Sequence, residues 1–135
     1  MNRKFSILAI LVIFAVPMIL YYGFKATPDK NSVSLAQAIG SKPVVIDFSS
    51  QLCLECKELA KTLDPIEKNY TNKIVFKKVI INTATPEEEA LMKKYKVTVV
   101  PTLVFLDKKG NVYKRTEGAL PKQELEGYLN QLSKQ

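Results

Sequence analysis

Cys53 and Cys56 are the only cysteines in the chain, with Leu54 and Glu55 between them. On a helix this spacing brings the second sulfur beside the first. The pair follows the apolar run Val44, Val45, Ile46 and Phe48, and precedes apolar positions of helical period at Leu52, Cys56, Leu59, Leu63 and Ile66. It therefore falls where a strand gives way to a helix. Unpaired amide groups at a helix start favour negative charge. A cysteine there has a lowered pKa and a more available thiolate. Cys53 is expected to attack and Cys56, one turn deeper, to resolve the mixed disulfide. Three blander readings compete. A static disulfide across so short a loop stabilises little. A zinc site lacks its other ligands, because the chain has no histidine and no third cysteine. Two inert core cysteines remain conceivable, but the spacing and an exported setting favour redox chemistry.

The flanking elements follow from local signals. Val44 to Phe48 reads as a strand covered on both faces, interrupted only by Asp47. A helix is expected from near Cys53 towards Tyr70, kinked or ended early by Pro65. A strand should lie within Ile74–Ile81. Thr85, Pro86 and Glu88 form the start signal of a helix ending near Tyr95. Thr98–Leu106 contains a strand beginning at Pro101 or Thr102. Asp107–Asn111 is a hairpin turn, Val112–Arg115 pairs back, and Pro121–Leu132 closes as an amphipathic helix. A short helix over Ser34–Ile39, stopped by Gly40, opens the series. Crossover helices require parallel pairing and the hairpin adds an antiparallel edge, so a mixed sheet between helices is expected.

Chain length, 135 residues, suits one domain with a short accessory segment. The segment from Phe5 to Phe24 carries no charge and is long enough to cross a hydrocarbon core of about 30 Å. Arg3 and Lys4 precede it, which orients everything after Lys25 outside the cytoplasm. A cleaved signal peptide is the competing reading, with the same consequence for location. Residues 1–24 are thus read as anchor or signal, 25–33 as a linker containing Pro28, and 34–135 as the domain. Net charge is +7, but the lysines are scattered and form no basic run of five or six residues. A solvated surface is expected rather than a nucleic-acid face. The absence of histidine also excludes Ser-His and Cys-His catalysis. No cofactor or metal is expected.

The segment VVIDFSSQLCLECKEL resembles the active-site strand, loop and helix of the thioredoxin family, and VTVVPTLVFLDKKGNVYKRTEG resembles its proline loop and terminal hairpin. The resemblance runs from about Ser34 to Leu132. CKEL, INTATPEEEALMKKYKV and VPTLVFLD most resemble the C-terminal periplasmic domain of the transmembrane thiol:disulfide interchange reductase. The resemblance implies an α/β thioredoxin fold, with a mixed sheet of four to five strands flanked by helices. It implies that Pro101 is a cis proline, placing Val100 opposite the cysteines where its backbone could pair with an extended substrate. The plainer reading of Pro101 is an edge-strand proline. Asp47 matches the family's buried acid, which could take the proton of Cys56 as general base; otherwise it turns to solvent. Lys78 falls where a family lysine approaches that acid, or is simply exposed.

The sequence also departs from the family. Leu52 stands where a tryptophan is usual, and Leu54-Glu55 replaces Gly-Pro between the cysteines. Leu52, Leu54 and Glu55 therefore bear on substrate choice. The charge of Glu55 near the thiolate disfavours the reduced form, which argues for a reductant over a strong oxidant. The function expected is an extracytoplasmic thiol–disulfide oxidoreductase reducing disulfides of exported proteins, fed by a membrane thiol donor. An oxidase or isomerase using the same cysteines, or a peptide-binding module without turnover, is the alternative.

Overall fold

The computed structural model describes residues 15–18 and 39–135. The expected anchor and linker, and the helix from Ser34, lie almost wholly outside the described residues. Residues 15–18 are helical, and among the described residues no helix is long and apolar enough to cross a membrane. The chain divides into two units, 1–33 and 34–135, and every strand and helix named below belongs to the second.

Among described residues 39–135, four strands and three α-helices follow one another: β1 (Val44–Ser49), α1 (Leu54–Tyr70), β2 (Val75–Ile80), α2 (Pro86–Lys94), β3 (Thr102–Leu106), β4 (Val112–Glu117) and α3 (Lys122–Leu132). The sheet order is β2-β1-β3-β4. β1 and β2 are parallel, while β1–β3 and β3–β4 are antiparallel, so the sheet is mixed as expected. Every residue of β1 and β3 is buried. The reason is that both faces are covered. Val45, Leu103 and Phe105 pack with Leu59, Leu63 and Ile66 of α1 and with Leu125, Leu129 and Leu132 of α3. Ile46, Phe48, Val104 and Leu106 turn the other way and pack with Tyr95 and Leu91. Side chains alternate along a strand, so Asp47 and Ser49 share the α1 face with Val45.

Local chemistry sets the element ends. Thr85 Oγ1 accepts from the Glu88 amide at 3.3 Å, and Glu88 Oε2 accepts from the Thr85 amide at 3.0 Å, completing the capping box. Asp107 Oδ1 accepts from the amides of Lys109 and Asn111, both at 2.8 Å, and Gly110 takes φ +82 to close the hairpin.

Two expectations need correction. Pro65 does not end α1 early; the helix continues to Tyr70. Pro65 lies on the exposed side of α1. Leu63 and Ile66 on the buried face hold the following turn to the sheet. β4 runs two residues beyond Arg115, because Thr116 and Glu117 pair with Leu103 and Thr102.

Candidate active site

The site is built where β1 ends and α1 begins. Cys53 is the N-cap of α1, with an extended backbone, and its Sγ accepts a hydrogen bond from the Cys56 amide at 3.1 Å. That bond supplies one of the partners a helix start offers to a sulfur carrying negative charge. Cys53 and Cys56 are joined as a disulfide with their Cα atoms 5.2 Å apart. Cys53 is half-buried and Cys56 is buried, so the first sulfur is the one a partner can reach.

The loop before β3 faces this pair. The Val100–Pro101 peptide bond is cis. Val100 O lies 3.6 Å from Cys53 Sγ. Thr102 Oγ1 donates to Val99 O at 2.7 Å, and the Gly118 amide donates to Pro101 O at 2.9 Å, so the loop is fastened on both sides. Gly118 has φ +82, a conformation that strains any residue with a Cβ, and Glu55 Oε2 reaches to 3.7 Å of where that Cβ would stand. Leu52 is 88% exposed, Leu54 74% and Val99 48%. An apolar rim therefore borders the disulfide, with the Glu55 carboxylate within it.

Asp47 stands at 6% exposure on the face of β1 that α1 covers. The Ser49 hydroxyl donates to Asp47 Oδ1, and Lys78 Nζ lies 3.8 Å from Oδ2. Asp47 and Lys78 are register partners across β1 and β2. Lys78 is thus both near the acid and half exposed, its side chain 48% accessible. Burial is the largest influence on Asp47 and raises its pKa above the ordinary 3.8. The Ser49 hydrogen bond and the Lys78 charge pull it down, while Asp64 adds to the rise.

The structure thus brings Cys53, Cys56, Val100 and Pro101 together, rims them with Leu52, Leu54 and Glu55, and pairs Asp47 with Lys78. Ser49 and Gly118 escape a reading of the sequence alone. Ser49 sits two residues beyond Asp47, and strand alternation could have found it. Nothing local announces Gly118.

A linked cysteine pair at a helix mouth, facing a proline loop across this sheet order, defines a class: the thioredoxin-like thiol–disulfide oxidoreductases. The chain belongs to the thioredoxin-like domain family, whose model matches residues 30–133. It is 33% identical over 98 residues to the chloroplastic thioredoxin-like protein HCF164 of Oryza sativa subsp. japonica, covering 73% of this chain and 35% of that one. It is 29% identical over 112 residues to the thiol:disulfide interchange protein DsbD of Pectobacterium atrosepticum, covering 78% of this chain and 19% of that one. It is 33% identical over 91 residues to a thioredoxin of Haemophilus influenzae, covering 66% of this chain and 78% of that one. The chain therefore spans only a minor part of the first two relatives. Among solved structures, a thioredoxin of Malassezia sympodialis superposes with a TM-score of 0.60 at 28% identity, covering 71% of this chain and 79% of that one.

Asp47 makes stability depend on pH in an unusual sense. Its folded pKa is raised, so the folded state holds more protons than the unfolded state between the two values. The stabilising effect is complete below the unfolded value and is lost as pH rises through the folded one. Asp47→Leu is expected to abolish this decline and to stabilise the protein at neutral pH by about 1–3 kcal/mol, because apolar volume replaces a buried, loosely paired charge. Urea unfolding at about pH 4 and about pH 8 checks it, and a decline as steep in the variant as in the wild type contradicts the assignment.

Proposed function

We propose that the domain reduces disulfides of exported proteins through the Cys53–Cys56 couple, taking its electrons from a membrane thiol donor. One observation carries this reading: Cys53 Sγ sits at the mouth of α1, accepts the Cys56 amide, and faces the Val100 carbonyl. In the reduced protein the Cys53 thiolate attacks a substrate sulfur, and the substrate's other sulfur departs with the bonding electrons. Cys56 passes its proton to Asp47 and attacks Cys53 Sγ. The domain disulfide re-forms, the second substrate thiolate leaves, and two electrons have moved to the substrate. A donor dithiol must then reduce the domain again.

Val100 O and the extended backbone around it suit an extended substrate segment laid alongside as an added strand. Leu52 and Leu54 offer it apolar contact. The direction of electron flow is supported by Glu55, whose charge opposes the thiolate and so favours giving up electrons. Location outside the cytoplasm is supported by the uncharged Phe5–Phe24 segment behind Arg3 and Lys4. The family's likeness to an interchange protein agrees with a thiol donor as partner.

Equilibration with a glutathione buffer tests the direction. A reduction potential near about −270 mV supports a reductant, while one near about −120 mV overturns it in favour of an oxidase.

A further inference from the structure

After each cycle Asp47 holds a proton that must leave, and a bound substrate covers the disulfide face. The structure supplies another exit. A cleft of about 190 Å³ opens onto Asp47, and neither cysteine lines it. Its polar wall is Asp64 and Glu67 of α1 and Lys78 of β2, over an apolar floor of Val45 and Phe76. Glu67 is half-buried and Asp64 exposed. Lys77 touches the cleft edge, but its ammonium is held at 2.7 Å by Glu88 of α2. From β1, the Ser49 hydroxyl already donates to Asp47. Asp47, Asp64 and Glu67 thus line one cleft with Lys78, whose ammonium lies 3.8 Å from Asp47 Oδ2.

We propose that Glu67 is a positioning residue of the exchange reaction, acting across this cleft to strengthen Asp47 as a base and to carry its proton out to solvent. The inference rests on the role of Asp47 given above. The Cys56 proton goes to the Asp47 carboxylate as Cys56 sulfur bonds to Cys53 Sγ and the mixed-disulfide bond breaks, its electron pair leaving with the substrate thiolate. Asp47 then yields that proton to the Glu67 carboxylate, which yields it to water. Both acids return to their starting state. Like charges in a confined space resist joint ionisation, so a proton added to one acid is felt by the other. Burial raises the pKa of Glu67, and Asp64 and Asp47 raise it further against Lys78. No residue between the cysteines offers this link, and α1 supplies it more than two turns beyond Cys56.

The test is the pH profile of reduction of a labelled peptide disulfide by the full chain, with thermal melting as a check on folding. In Glu67→Gln the midpoint of the acid limb is expected to fall by about half a pH unit, since one like charge has gone. Glu67→Asp should restore the wild-type midpoint. Lys78→Met should move it the opposite way, a pairing of shifts that damage to the fold does not produce. In an Asp47→Asn background, Glu67→Gln should shift nothing. A Glu67→Gln profile superimposed on that of the wild type, while Asp47→Asn flattens the limb, overturns the role of Glu67 alone. An unchanged limb in Asp47→Asn overturns the role of Asp47, and the inference with it.

Discussion

Cys53→Ser is expected to reduce insulin at least about a thousand-fold more slowly than the wild type, because the attacking atom is gone and nothing nearby replaces it. Cys56→Ser should fail differently. Its Cys53 still attacks, so substrate accumulates as a mixed disulfide, visible as a heavier band without reductant and lost on adding dithiothreitol. The asymmetry has a structural cause. Cys53 caps α1 in a half-buried position, while Cys56 is 5% exposed one turn inside. A partner meets the first sulfur and is released by the second. Trapping by Cys53→Ser instead of Cys56→Ser would reverse the assignment. Equal turnover in wild type and Cys53→Ser would leave only a binding module.

Phe48→Ala is expected to cost about 3–5 kcal/mol, the range for deleting a buried aromatic ring. For a domain of this size that lowers the melting temperature by about 12 °C or more. Phe48 is fully buried on the α2 face of β1, with its ring 6.5 Å from that of Tyr95 at an interplanar angle of 55°. β1 is the strand that delivers the cysteines, and Tyr95 precedes the loop carrying Val100 and Pro101. Loss of the ring therefore loosens both sides of the site. Leu52→Ala is the contrast. That side chain is 88% exposed, so stability should stay within about 0.5 kcal/mol of wild type while substrate affinity falls. Calorimetry on the two variants separates the cases, and a small effect from Phe48→Ala would show that the strand is held without it.

Much of this was legible beforehand because the signals are local. Thr85 with Glu88 caps a helix wherever the chain places it, since both bonds close within one turn. Asp107 and Gly110 make a hairpin by the same logic. The cysteine spacing and the strand before it located the site. Pro65 does not end α1, because its cost depends on what the rest of the turn buries, and Leu63 and Ile66 outweigh one missing amide. The last two residues of β4 escaped notice because pairing with β3, not their own preference, makes them strand.

The sequence by itself determined that two thiols stand one turn apart at a helix start, and it located the strands and α-helices described around them, though not the end of β4. Spacing and capping are short-range properties, carried by neighbours in the chain. Only the tertiary structure decided that Val100 O comes within 3.6 Å of Cys53 Sγ, that Ser49 and Lys78 converge on Asp47, and that Glu67 shares its cleft. Those contacts join residues from separate elements. They exist because the sheet order places β1 between β2 and β3 and lays α1 across its face.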